Sequence, residues 1–276
     1  MNKSSLLIII SAILFVASCC DCDTQNAKEN KSKSSLLDVG FDGDKKPVTG
    51  DSEKTTGEKP DSEIVTPKPV HSSSKRHYGM DISHFQGDLI EKISSTDSIS
   101  FVICKATQGD YFIDPDFHTN WAEIKERVRV RGTYHFYMCA DNPIQQADHF
   151  AAVVEKIEDT DIAPVLDIEQ GSMTASVSGA QMEKDILVFL KAVEQKLNRK
   201  PILYTDYAFA QEYLTNPVFA TYELWLADYT NAKSPLIPDT WKAKGYKIWQ
   251  RSASYDTESE TADLDLYTGS LSNLVR

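Results

Sequence analysis

Ala163-Pro164-Val165-Leu166-Asp167-Ile168-Glu169-Gln170 sets two carboxylates directly behind four apolar residues. The short apolar run, Ala163 to Leu166, reads as a buried strand. Side chains on a strand alternate between faces, so Asp167 and Glu169 share one face, their Cα atoms roughly 6.5 Å apart, and Ile168 points the other way. Comparable apolar runs flank this one at 78–83, 101–107, 132–138, 201–207, 223–229, 246–252 and 262–268. Helical periods lie between them. Ile144, Ala147, Ala151, Val154 and Ile157 recur at spacings of three and four, as do Met182, Ile186, Phe189, Val193 and Leu197. Strands alternating with helices imply parallel strands joined by right-handed crossovers. The expected fold is therefore α/β: a modified (β/α) barrel of about eight strands, its helices short or missing in the C-terminal part, after Tyr207.

In such a barrel the polar residues at the C-terminal strand ends face the site. That rule selects Asp81, the pair Asp167 and Glu169, Asp228 and Tyr229, Gln250, and Asp263 or Asp265. Two neighbouring carboxylates on a low-dielectric wall cannot both ionise freely. Like charge and desolvation raise the pKa of one and make it a proton donor near neutral pH. The alternative reading is a pair that caps the next helix or is held by a Lys or Arg. Metal-ligand spacing is absent and no cofactor motif occurs, so no cofactor is expected.

The chain of 276 residues is 41% hydrophobic, enough to bury a sizeable core. Its net charge of -12 falls entirely from Tyr78 onward, where 18 Lys and Arg face 30 Asp and Glu. So acidic a domain repels phosphate backbones, which argues against a nucleic-acid partner. At the other end, Lys3 precedes an apolar run from Leu6 to Val16, too short to span a bilayer comfortably. The run ends in Val16-Ala17-Ser18-Cys19, which resembles the lipobox of bacterial lipoproteins. That resemblance implies a signal peptide over 1–18 and lipidation at Cys19. Residues 19–76 then form the lipidated N-terminus and a linker too polar to bury a core. As a flexible coil it spans roughly 40 Å. Residues 77–276 form the barrel. Cys104 and Cys139 lie in strand-like segments, where a buried free thiol is the ordinary state and a bridge between them in an oxidising compartment is the alternative.

Seven ordered motifs resemble the glycoside hydrolase family 25 lysozymes, the N-acetylmuramidases. Gly79-Met80-Asp81-Ile82-Ser83-His84-Phe85-Gln86-Gly87 is similar to the opening GIDVSHWQG of that family. Residues 101–109, FVICKATQG, resemble FVIIKATEG, with Asp114-Pro115 and Phe117 following. Residues 132–136 resemble GxYHF, and Asp167-Ile168-Glu169 matches DxE. Residues 225–229 resemble WxAxY, Trp249-Gln250 resembles WQ, and Asp263-Leu264-Asp265 resembles VDxN.

The resemblance implies hydrolysis of the β-1,4 bond between N-acetylmuramic acid and N-acetylglucosamine in peptidoglycan. Glu169 would be the general acid and Asp167 would steady the 2-acetamido group, with Asp81 and Asp263 completing the acidic site. Substrate assistance with retention is the preferred route, with carboxylate attack or inversion still open. The departures are Gln108 for Glu, Phe85 for Trp and Asp265 for Asn.

Other residues have two readings each. Trp225, Tyr229 and Tyr134 either stack on sugar rings or fill the barrel interior. Lys105, a substrate-binding candidate, either pairs with a site carboxylate or forms a plain buried ion pair. Gln250 is a substrate-binding candidate, and His84 and His135 are expected to be structural. Asp256, Glu258 and Glu260 read as a solvated acidic loop. The protein is thus expected in the cell envelope, a monomer anchored to a membrane by lipid, with peptidoglycan as partner. A catalytically inactive peptidoglycan-binding lipoprotein and a metal-dependent phosphodiesterase are the rival readings.

Overall fold

The computed structural model describes residues 75–93, 98–173, 177–256 and 261–276. The expected signal peptide, Cys19 and the linker up to residue 74 lie outside them, as do Glu258 and Glu260. The apolar runs become β1 (Arg76–Ile82), β2 (Ile99–Gln108), β4 (Val130–Phe136), β5 (Val165–Asp167), β6 (Ile202–Asp206), β7 (Glu223–Ala227), β8 (Ile248–Asp256) and β9 (Thr261–Thr268). They follow one another around the wall as β1-β9-β8-β7-β6-β5-β4-β2, and β2 pairs back to β1. The eight-stranded barrel is closed. A short β3 (Phe112–Ile113) folds back on the end of β2.

Two details depart from expectation. First, β9 runs antiparallel to both neighbours, whereas all the other wall pairings are parallel. Only residues 257–260 separate β8 from β9, and a parallel return needs a dozen or more. Second, β5 is only three residues long. Pro164 has no N–H to offer a ladder, although its carbonyl still accepts the Ile202 N–H at 2.9 Å.

Period-two alternation divides the apolar side chains into two cores. Phe101, Ile103, Val165, Ile202, Trp225 and Ile248 fill the barrel interior. Val102, Cys104, Leu166, Leu203, Leu224 and Leu226 face the helices outside. Interior packing fixes one glycine: a Cβ on Gly79 would lie 2.3 Å from the Phe101 ring, its register partner on β2. Cys104 and Cys139 are buried free thiols.

Five helices bear on the argument: α1 (Leu89–Lys92), α2 (Phe117–Arg127), α3 (Pro143–Val154), α4 (Gly179–Leu197) and α5 (Tyr207–Tyr213). On α4 the whole predicted stripe is buried. Helix α3 differs: Ile144 is 44% exposed, and its buried side is Gln146, Ala147, Phe150 and Val154. Glu155, at φ 60°, turns the chain out of the helix before Ile157. As expected, the helices dwindle after β6; only a 3-10 turn, Asp239–Trp241, stands between β7 and β8 among the helical segments. The bottom of the barrel is tied by Arg131, which grips Asp161 at 2.9 and 3.3 Å and lies 3.7 Å over the Trp121 ring.

Candidate active site

All the parallel strands end at one rim, and there they surround an open pocket of about 690 Å³. Asp81 comes from the end of β1, Asp167 from the end of β5, and Gln250 from β8. Because β9 runs the other way, it brings Asp263 to the same rim from its beginning, directly opposite Asp81 in register. Tyr134, Lys105, Trp225, Tyr229 and Glu169 line the pocket with them, whereas Asp228 and Asp265, also selected by the strand-end rule, do not.

Glu169 lies beyond the last ladder residue of β5, yet its backbone is still extended, at φ -151° and ψ -175°. The alternation therefore continues far enough to keep it on the face of Asp167. Its N–H donates to Ser172 Oγ at 3.2 Å, which anchors the turn. Asp167 is buried, and its Oδ1 has no hydrogen-bond partner among the described residues. Burial first, and the Glu169 charge second, push the Asp167 carboxyl well above the usual carboxylate range, with Lys105 pulling it back. Burial likewise raises Glu169, helped by Asp206 and Asp263. The two carboxyls thus favour holding a proton between them.

The opposite side of the rim is organised by Gln250. Its Oε1 accepts from Tyr204 and Tyr229 hydroxyls, each at 2.8 Å, and its Nε2 donates to Asp81 at 2.7 Å and Asp263 at 3.1 Å. All four hydrogen-bonding positions of the amide are filled. Burial and the Asp263 charge raise Asp81 well above its ordinary value, against the pull of the Gln250 amide. Asp263 itself is pushed up to about 6 by burial. One strand step deeper, Asp265 is fully buried and accepts the Trp225 Nε1–H at 2.8 Å, while its Oδ2 has no partner among the described residues. Burial raises this carboxyl strongly as well.

Two of the residues with two readings differ sharply in exposure. Trp225 is 2% exposed and packs edge-to-face on Tyr204 at 4.6 Å, part of the interior core where it meets the pocket. Tyr229 is 57% exposed on the lip. Lys105 makes neither of the pairs expected of it: its ammonium donates to Gln108 Oε1 at 2.7 Å and lies 5.0 Å from the Phe136 ring centroid. It reaches the carboxylates only through space. His135 is structural, held between Thr107 at 2.7 Å and Gln146 at 3.2 Å and lowered to about 3 by burial. Asp228 turns away from the pocket and accepts the Leu236 N–H at 2.8 Å.

Tyr204 and Phe136 also line the pocket and were missed from sequence. Strand parity carried the signal. Tyr204 shares a face with Ile202, and Phe136 shares one with Tyr134. Among the described residues no grouping of three His, Cys, Asp or Glu side chains has metal-holding geometry.

Carboxyls kept protonated toward neutrality, next to others that carry charge, perform the chemistry of glycosidic bond cleavage. A barrel with such a rim is of the glycoside hydrolase class. The sequence pattern of glycosyl hydrolases family 25 matches residues 80–259, and the chain belongs to that family. Over 233 residues it is 26% identical to Lysozyme M1 of Streptomyces globisporus, covering 81% of this chain and 77% of that one. Its fold matches the bacterial lysozyme from Streptomyces coelicolor with a TM-score of 0.66 at 26% identity, over 72% of this chain and 95% of that one. It also matches a muramidase from Acremonium alcalophilum, with a TM-score of 0.64 at 25% identity, over 72% and 98% of the two chains.

Proposed function

We propose that this glycoside hydrolase is a muramidase that cleaves the β-1,4 bond between N-acetylmuramic acid and N-acetylglucosamine in peptidoglycan. The observation that carries the reading is the Asp167–Glu169 pair at the barrel rim, both raised by burial, Asp167 further by the Glu169 charge and Glu169 further by Asp206 and Asp263. Glu169, the more accessible of the two, gives its proton to the leaving glycosidic oxygen. Asp167, raised by burial but pulled back toward its charged form by Lys105, accepts as the carboxylate the N–H of the substrate's 2-acetamido group. The acetamido oxygen then attacks the anomeric carbon as the C–O bond breaks, forming a cyclic oxazolinium ion. Water, deprotonated by the Glu169 carboxylate, opens that ring and leaves the product with retained configuration. Asp81 and Asp263 face the developing positive charge from the other side, where they stabilise it.

Support for assistance comes from the strand itself, which holds Asp167 and Glu169 as neighbours on one wall. A retaining enzyme with its own nucleophile holds its carboxyls across the bond, about 5 to 5.5 Å apart. A substrate lacking the N-acetyl group separates the two routes. It should be cleaved at least about a hundredfold more slowly; equal rates would exclude assistance. The reading as a whole is tested by Glu169→Gln, which should reduce release of reducing ends from peptidoglycan by about a thousandfold or more with a melting temperature no lower than that of wild type. Full activity in that variant would refute it.

We also place the protein in the cell envelope, as a monomer anchored by lipid at Cys19 through its polar linker. This rests on Val16-Ala17-Ser18-Cys19 and the apolar run before it. Cys19→Ala should leave the protein in the soluble fraction; continued membrane association would rule out the anchor.

A further inference from the structure

Phe85 is 81% exposed, the most exposed large apolar side chain of the described residues, yet it lines the catalytic pocket. It belongs to neither apolar core, so folding does not account for it. The structure nevertheless holds it firmly. The turn that carries it is locked by the Ser83 N–H to Gln86 Oε1 at 2.9 Å and by the Phe85 N–H to Ser83 Oγ at 3.3 Å. Gly87, at φ 51°, closes the turn in the left-handed region that favours glycine.

Behind the Phe85 ring lies the His84 imidazole, its centroid 4.1 Å away. His84 is itself clamped: its N–H and its Nδ1 both meet Oδ2 of the buried Asp114, at 3.1 and 2.7 Å. On its other side is Phe112, at 5.8 Å. A flat apolar face is thus fixed in water at the edge of a polar pocket. Three strands around the barrel, beyond β9 and β8, the exposed Tyr229 stands on the lip beside β7.

We infer that Phe85 is an aromatic platform for a pyranose ring: a sugar subsite at the edge of the pocket, beyond the two sugars that flank the bond being cleaved, which holds a further N-acetylhexosamine of an extended glycan strand. The inference rests on the muramidase reading for its substrate class. Its physical basis is that the C–H-rich face of a pyranose meets the negative face of an aromatic ring favourably. A ring backed by a clamped imidazole on a locked turn accepts the sugar at a reduced ordering cost.

The test uses the full chain and peptide-free glycan strands of alternating N-acetylglucosamine and N-acetylmuramic acid, two or four repeats long. Phe85→Ala should raise KM for the four-repeat strand about tenfold with kcat unchanged, change KM for the two-repeat strand less, and leave the melting temperature where it was. Phe85→Trp should restore the wild-type KM. Equal KM in wild type and Phe85→Ala would overturn the platform, as would a fall in kcat alone.

Binding is measured in parallel with the same four-repeat strand, comparing Glu169→Gln with Glu169→Gln/Phe85→Ala. A tenfold weaker Kd in the double variant supports the platform. Equal affinity, or no binding to either, overturns it. If wild type releases no reducing ends from the strands, the muramidase reading fails by itself, and the binding comparison still decides the role of Phe85.

Discussion

Gln250 receives two hydroxyl protons at one end of its amide and gives two N–H groups to carboxylates at the other. It therefore has no free position for a sugar, and its task is to hold Asp81 and Asp263 in place and partly charged. Gln250→Glu keeps the shape and removes the donors. A hydrogen bond to a charged group contributes about 1.5 kcal/mol or more, equivalent to about one pKa unit. The acid limb of the pH–rate profile should thus move up by about one unit as Asp81 becomes easier to protonate. An unmoved limb, measured by reducing-end release in a variant that melts normally, would show that the amide does not hold these charges. Gly79 is constrained by packing. Gly79→Ala drives a methyl into the Phe101 ring, and such overpacking costs about 1–3 kcal/mol, readable from the urea midpoint. A midpoint within error of wild type would mean the ring has room to move.

Helix α5 begins with Asp206, whose carboxylate accepts the Phe209 N–H at 2.9 Å. The same charge helps to raise Glu169, so one side chain both caps a helix and tunes the acid. Asn caps as well as Asp, so Asp206→Asn should keep the melting temperature while removing the charge. Glu169 then loses its proton more readily, and the alkaline limb of the rate profile should shift to lower pH. If the limb stays and only stability falls, Asp206 is a cap and nothing more.

At this scale the sequence was most legible where burial is two-sided. The wall strands stood out as apolar runs, and the stripe on α4 was found residue by residue because a long helix repeats its pattern five times. The end of α3 was hidden because one residue at positive φ stopped it, and Ile157 kept the spacing by chance. The direction of β9 was decided by loop length, which strand patterns do not carry. Within the site, the carboxylates were found from strand-end position. Tyr204 and Phe136 were not, since an aromatic residue in a strand reads equally well as core.

Across the whole molecule, the rim concentrates buried acids: Asp81, Asp167, Glu169, Asp263 and Asp265 all bind protons more tightly in the folded chain than a free carboxyl does. A raised folded pKa stabilises fully below the unfolded value, near 4, and that contribution is lost as pH rises through the folded value. For Asp263 that upper bound is about 6; for the more strongly raised groups the window extends higher. The melting temperature should therefore rise as pH falls from 8 to 5, and a flat or falling curve would mean these carboxyls are not held as described. The acids that cost stability near neutrality are those proposed to cleave the substrate, the usual trade between function and stability at an active site.

The most direct test of the central claim is the identity of the new reducing end after the full chain has digested purified peptidoglycan. Ends of N-acetylmuramic acid are predicted. Ends of N-acetylglucosamine, or no new ends at all, would contradict the account.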